Sequence, residues 1–356
     1  MSSASQNPAQ PPAADAVEFF SAALARVQCG DALSENAAAQ MMDAIMAGVI
    51  APELLRGYLL TLAERGETVD ELVGSGRSLR RHMLPFDAGV ACIDTCGTGG
   101  DGLNTFNIST AVALVVAAAG VPVAKAGNRS ASGKCGSADV LEALGIPIDL
   151  SPEKARATLH HTNFVFLFAP QYHPAARHAA PVRRALGRPT IFNWIGPLCN
   201  PAQPAFQVIG VPGLKRARNI AQTLQRLGAR HSLVVTGANG LDELAPDDGN
   251  HVFQIAEHEI FESIVNASDG GIERHDLAVL LGGDVRTNCE IVRRLLDGEL
   301  GPARDVVVLN AGLALQLAGA VTDLRAGIAR AAETIDRGDG KRLLNQLREA
   351  APWSVD

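Results

Sequence analysis

Apolar residues recur at helical spacing from Val17 to about Leu84. Phe19, Phe20, Ala23 and Leu24 come first, followed by stretches over 35–47, 51–64 and 68–83. Ser34 and Thr68 stand before two of these stretches, each followed by acidic residues, the pattern of an N-cap whose side-chain oxygen accepts from the first free N–H groups. A small helical domain is predicted there. It carries Met41, Met42, Ile45, Met46, Ile50, Leu54, Leu55, Leu59 and Leu60, more apolar positions than a short bundle needs. These either fill its own core or in part form a dimer face. Beyond residue 86 the period changes. Short apolar runs at 90–95, 121–125, 146–149, 164–168, 207–211, 232–236 and 252–255 alternate with helical stretches. That alternation predicts α/β architecture, a mostly parallel sheet with crossover helices on both faces. The stretch from Ala175 to Leu186, with Gly196-Pro197 after it, reads as a helical interruption that packs back on the first domain and walls a cleft.

The expected layout is therefore a disordered tail at 1–16, a helical domain at 17–86 with about 172–200 packed on it, and an α/β domain from 87–171 and 201–350. The tail is small, polar and proline-rich, and cannot bury enough apolar area to order itself. Hydrophobic residues make up 47% of the 356 positions and aromatics only 4%, which favours helix-rich α/β packing over a β-sandwich. The net charge of −7 argues against a general nucleic-acid-binding role. Six cysteines, at 29, 92, 96, 135, 199 and 289, include no C-x-x-C pair and are expected to be reduced. No basic-then-apolar leader begins the chain, and the apolar run 111–124 is too short to span a bilayer. A cytoplasmic location with no membrane partner is expected.

Chemistry concentrates where the strand ending near Asp94 gives way to a helix. Gly97, Gly99, Gly100 and Gly102 lack Cβ atoms, so the backbone can take positive φ and bring N–H groups to a ligand. Asn107, Ser109 and Thr110 lie at the helix start, where free N–H groups and the dipole favour an anion. This is a phosphate loop. Asp101 and Ser109 add oxygen donors, and the excess negative charge of a phosphate beside a carboxylate implies magnesium. The same glycines satisfy G-x-G-x-x-G, but a dinucleotide site wants the helix to open within the glycines and an acidic residue after the next strand. Here that strand carries Lys125.

A second loop, Lys125 to Ser137, repeats the glycines, hydroxyls and cations before another helix, and reads as a second phosphate loop on the same sheet end. Gly240-Leu-Asp-Glu243 follows a strand. Asp242 and Glu243 form either a surface turn or, beside two phosphate loops, a magnesium site. His173 and Arg183 are candidates for an acidic acceptor, since a guanidinium binds a carboxylate in bidentate fashion. Arg177, His178 and Arg184 read as a solvated face. No Ser/His/Asp nucleophile pattern and no metal-binding histidine spacing are present in the sequence.

Taken together, Gly97-Thr-Gly-Gly-Asp-Gly-Leu-Asn-Thr-Phe-Asn-Ile-Ser-Thr110, Lys125-Ala-Gly-Asn-Arg129, Gly136-Ser-Ala-Asp139, Phe168-Ala-Pro-Gln-Tyr-His-Pro174, Pro181-Val-Arg183, Gly196-Pro-Leu-Cys-Asn-Pro201 and Gly240-Leu-Asp-Glu243 resemble the anthranilate phosphoribosyltransferases over roughly residues 17 to 350. The resemblance implies a nucleoside phosphorylase/phosphoribosyltransferase-like fold and a magnesium-dependent homodimer built through the helical domain. It also implies transfer of the phosphoribosyl group of phosphoribosyl pyrophosphate to the amine of anthranilate, a step of tryptophan biosynthesis. By motif, Gly97, Gly100, Asp101, Thr105, Asn107, Ser109, Thr110, Lys125 and Ser137 would hold phosphoribosyl pyrophosphate. Ser109, Asp242 and Glu243 would serve magnesium, and Gly97, Asn128 and Arg183 would contact anthranilate, with Arg183, His173 and Asn128 acting at the reacting centre. The family's second loop usually reads Lys-His-Gly-Asn-Arg, and Ala126 replaces that histidine. This departure motivates a second hypothesis, a phosphoribosyltransferase for a different aromatic amine. A non-catalytic nucleic-acid-binding paralogue would need a basic surface and eroded carboxylates. A pyrimidine-nucleoside phosphorylase would not need the acceptor-side Arg183. Trp194 and Cys199 read as packing changes.

Overall fold

The computed structural model describes residues 13–130, 134–257 and 259–350. Four helices begin the chain: α1 (Ala13–Gln28), α2 (Glu35–Met46), α3 (Pro52–Arg65) and α4 (Val69–His82). The expected caps form. Ser34 accepts from the Ala37 N–H, while Thr68 and Glu71 exchange bonds in a capping box. Helix α1 starts at Ala13, so residues 13–16, assigned to the tail by composition, form its first turn; residues 1–12 lie outside the described residues. Met41, Met42, Ile45, Met46, Leu55 and Leu59 are buried within this chain's own core, whereas Ile50, Leu54 and Leu60 stay partly exposed.

The strands are β1 (Ile93–Gly97), β2 (Val123–Gly127), β3 (Phe164–Phe168), β4 (Phe206–Gly210), β5 (His231–Thr236), β6 (Asn250–Ala256) and β7 (Glu259–Val265). They form one sheet in the order β3-β2-β1-β4-β5-β6-β7, parallel from β3 through β5 and antiparallel at β6 and β7. Later helices are α5 (Ile108–Ala118), α6 (Ser137–Ala143), α7 (Pro152–Thr162), α8 (Ala169–Tyr172), α9 (Ala180–Leu186), α10 (Ile191–Ile195), α11 (Leu214–Arg226), α12 (Val285–Leu296), α13 (Pro302–Leu317), α14 (Leu324–Asp336) and α15 (Asp339–Arg348). One sheet face packs on α5 and α12 to α15. Against the other lies α11, which buries Ala217, Ile220, Ala221 and Leu224 at helical spacing. That second core runs without a break into the helical domain, joining Ile209, Val234 and Phe253 to Leu59, Leu72 and Ile195. Helix α9 packs on α3, and α10 packs on α3 and α4.

Three sequence readings need correction. Residues 146–149 form no strand: Ile146 and Ile148 are buried, but Pro147 has no N–H for a ladder, and the apolar run fills the core without pairing. The helix expected at 175–186 is divided into a 3-10 turn (Pro174–His178) and α9, because Pro181 enters where a continuous helix would need its N–H. Strand β7 has no buried face to mark it in the sequence, since Phe261 and Ile264 remain exposed on this edge.

Strand β1 leads on to β2 and β3 on one side, while β4 and β5 lie on the other, so the order in which strands are added across the sheet reverses between β1 and β4. In a parallel sheet that is where the loops splay and a crevice opens at the carboxyl ends. Asn200, buried, stitches the region below it by donating to Asp94 and to the Ala124 carbonyl, each at 2.8 Å. Burial pushes the Asp94 carboxyl up to about 6, and the nearby Lys125 charge pulls against that shift.

Candidate active site

Gly97 and Gly210 face each other across β1 and β4, and the Thr98 N–H donates to the Gly210 carbonyl at 2.9 Å. The turn carrying Asp242 lies directly over both. A Cβ on Gly97 would collide with the Asp242 carboxylate, and one on Gly210 with the Asp242 backbone. From there the loop takes positive φ at Gly99, Gly100 and Gly102, at 69°, 87° and 73°, conformations that a side chain would strain. The Gly99 N–H donates to Asp242 Oδ2 at 2.6 Å. Gly210→Ala is therefore expected to displace the 242–243 turn and lower turnover about 100-fold, the scale of an ångström-level misplacement. Steady-state rates on protein with an unchanged circular dichroism spectrum check this.

Asp101, Asp242 and Glu243 form a carboxylate cluster beside the loop. Burial, then the charge of Asp101, pushes Asp242 up to about 6. Burial and the adjoining Asp242 push Glu243 well above the ordinary carboxylate range. Asp101 Oδ2 and Glu243 Oε2 are buried with no hydrogen-bond partner among the described residues. Thr95, Ser109, Asp242, Glu243 and Asn310 line a cavity of about 20 Å³, room for one water-sized occupant. The Asp242 and Glu243 carboxylates and the Ser109 hydroxyl on this space are hard oxygen donors of the kind a small divalent cation takes.

Helix α5 opens at Ile108, well after the last glycine, and the Asn107 side chain makes no cap bond to it. Its first N–H groups thus lack a side-chain cap, unlike those of α2 and α4. Lys125 is buried beneath the loop, donating to the Thr95 carbonyl at 2.6 Å and to Ser109 Oγ at 3.4 Å. Its ammonium supports Ser109 from below. Thr105 pairs with Leu281 in an isolated bridge, and the Thr110 hydroxyl is buried without a partner among the described residues. On the second loop the Ser137 hydroxyl donates to the Asn128 carbonyl at 3.4 Å, and the Asn128 side chain accepts from the Arg129 N–H. Residues 131–133 of that loop lie outside the described residues.

Arg183 is half-buried on α9 with its guanidinium 4.9 Å from the centroid of the Phe192 ring, and burial lowers its pKa. It has no ion-pair partner among the described residues. His173 accepts no comparable freedom: its Nε2 lies 2.9 Å from the Cys199 carbonyl and must donate, leaving a buried Nδ1 lone pair without a partner among the described residues. Burial lowers its pKa, against the hydrogen bond to the Cys199 carbonyl. Arg177, His178 and Arg184 are exposed.

Sequence reasoning missed a set of buried asparagines that hold the site loops. Asn310 exchanges bonds with the Leu244 backbone at 2.9 Å both ways, Asn250 accepts from Ala238 and Ala245, and Asn288 accepts from the Asn107 N–H. The signal was present in Val306-Val-Val-Leu-Asn310, an amide closing an apolar run, where it must find polar partners.

Residues 89–341 match the family described as glycosyl transferase family, a/b domain, and residues 21–83 match its helical bundle domain. Anthranilate phosphoribosyltransferase from Novosphingobium aromaticivorans is 44% identical over 313 residues, covering 88% of this chain and 95% of its own. The crystal structure of the Thermus thermophilus enzyme superimposes with a TM-score of 0.84 at 40% identity, covering 92% of this chain and 98% of that one. The Saccharomyces cerevisiae enzyme in complex with PRPP and Mg has the same fold, with a TM-score of 0.84 at 24% identity over 95% of this chain and 98% of that one. With its glycine loop at the sheet's switch point and this likeness over nearly its whole length, the chain belongs to the anthranilate phosphoribosyltransferases.

Proposed function

We propose that the crevice between β1 and β4 transfers the phosphoribosyl group of phosphoribosyl pyrophosphate to the amine of anthranilate, a step of tryptophan biosynthesis. The nitrogen–C1 bond forms as the C1–oxygen bond breaks, pyrophosphate leaves with the electron pair, and the former amine loses one proton. The observation that carries this reading is the Asp101, Asp242 and Glu243 cluster against the glycine loop, with Arg183 half-buried and unpaired among the described residues. Asp242, Glu243 and Ser109 would hold Mg2+, which when bound neutralises the cluster and the charge that builds on the leaving pyrophosphate.

This chain's own residues do the rest. The Gly97, Gly100 and Asp101 backbone, with Thr105, Asn107, Ser109 and Thr110 at the start of α5, presents N–H and hydroxyl donors to the donor's phosphates. Lys125 holds Ser109 from beneath and adds a fixed positive charge, while Ser137 and Asn128 bound the second loop. Arg183 takes the anthranilate carboxylate with Phe192 behind it, placing the amine beside Gly97 and Asn128. An aromatic amine is neutral near physiological pH, so alignment matters more than a strong base. His173, whose Nδ1 has no partner among the described residues, takes the proton after the bond has formed.

A homodimer through the helical domain is supported by Phe19, which is 36% exposed on α1, and by partly exposed Leu54 and Leu60 on α3. The cysteines are unpaired, which suits a cytoplasmic enzyme. Among the described residues no helix is long and apolar enough to cross a membrane.

The test follows anthranilate fluorescence after adding phosphoribosyl pyrophosphate and Mg2+ to the purified protein, with a metal-free control. Loss of fluorescence that depends on both is expected. Folded protein that binds the donor but leaves anthranilate unchanged would overturn the acceptor assignment.

A further inference from the structure

The glycine loop leans on something outside its own domain. A Cβ built on Gly100 would lie 3.3 Å from Trp194 Cη2 and 3.1 Å from Pro189 Cγ, so the tip of the indole and the proline ring close off the space beside the Gly100 Cα. Trp194 is buried on α10, within the segment that packs on the helical domain. Its ring is fixed from two further directions. The indole N–H donates to Glu67 Oε1 at 3.1 Å, and Glu67 lies in the turn between α3 and α4. The Arg216 guanidinium sits 4.2 Å from the ring centroid, presented by α11 of the α/β domain. The turn, α10 and α11 thus converge on one side chain whose far edge meets the phosphate loop.

We propose that Trp194, held by Glu67 and Arg216, is a positioning residue that sets the glycine loop for the phosphoribosyl donor and couples that loop to the helical domain. A loop of positive-φ glycines has few side chains with which to fix itself. Its recorded hydrogen bonds include Gly99 to Asp242 at the base and Leu103 to Asp101 at the exit, while Gly100 between them rests on Pro189 and the indole. Removing the indole edge leaves that stretch more conformations, so ordering it on the donor costs more binding free energy. On the acceptor side Arg183 packs on Phe192, a contact separate from the one between the indole and the glycine loop.

The inference rests on the donor-site reading given above, and the experiment separates the two. The chain has two tryptophans, Trp194 and Trp353, so the full-length Trp353→Phe variant makes emission report Trp194 alone. Titration with phosphoribosyl pyrophosphate and Mg2+, without anthranilate, is expected to change that emission saturably, with calorimetry following binding in parallel. Trp194→Phe keeps an aromatic ring in the core but withdraws the edge that reaches Gly100. It is expected to raise the donor KM about tenfold, with kcat and the anthranilate KM within about twofold. Glu67→Gln keeps an acceptor for the indole N–H and is expected to stay near wild type. Donor binding with unchanged emission, or an unchanged donor KM in folded Trp194→Phe, would overturn the positioning role alone. No calorimetric binding of the donor would overturn the donor site and this inference together.

Discussion

Replacing Asp242 and Glu243 together by alanine is expected to reduce turnover by about 1000-fold or more, the scale on which preorganised stabilisation of a developing charge is lost. The two carboxylates converge with Ser109 on one small cavity, and the charge of Lys125, which bonds to Thr95 and Ser109, offsets the upward shift of Glu243 only in part. Stability gives the second readout. A cation that binds only the folded protein stabilises it by about 2.7 kcal/mol at a hundredfold excess over its Kd, so Mg2+ should raise the melting temperature of the wild type and not of the double variant. Glu243→Gln alone removes one ionisable group from three crowded carboxylates. It is expected to melt higher than wild type without metal while losing turnover, because the repulsion it relieves is what the metal would offset. Retained turnover with an unshifted response to Mg2+ would remove the metal assignment.

Arg183→Ala is expected to weaken anthranilate binding by about 10- to 100-fold, equivalent to the roughly 1.5–3 kcal/mol of a charge-assisted hydrogen bond. The donor KM should stay within about twofold. The guanidinium is half-buried on Phe192 and lacks an ion pair among the described residues, so in the free protein it carries a desolvation cost with no compensating charge. Its removal should leave the melting temperature unchanged or slightly raised, the opposite of a structural arginine. Arg183→Lys should recover only part of the affinity, since an ammonium cannot meet a carboxylate with a bidentate fork. Steady-state KM values for both substrates, with a melting curve for each variant, check all three expectations. A donor KM that rises more than the acceptor KM would remove the acceptor role.

Much of the fold is legible in the chain because it is written in local patterns. Helices α2 and α4 follow from apolar spacing and from Ser34 and Thr68, whose caps are satisfied within a few residues. Six of the seven strands correspond to short apolar runs bounded by turn residues. The runs fail where burial and pairing part company. Residues 146–149 are apolar because they enter the core, yet they pair with nothing, whereas β7 pairs with β6 along its whole length but keeps most side chains in solvent. Local hydrophobicity reports burial, and a ladder also needs a partner with free N–H and C=O groups.

The site divides along the same line. The sequence by itself determined that a glycine loop precedes a helix, that a cation and two adjacent carboxylates follow later strands, and that an arginine-bearing helix lies between them. Each is a statement about residues close in the chain. Only the tertiary structure decided that Gly97 and Gly210 must lack side chains because the Asp242 turn lies on them, that Lys125 supports Ser109 from beneath, and that asparagines from distant helices hold the loops. Trp194, read from the sequence as a packing change, meets Gly100 through a contact between segments 94 positions apart. Such contacts arise from the crossing of β1 beside β4 and the return of α10 onto the helical domain. Their energy comes from side chains that meet only after the chain has folded, so no local pattern encodes them.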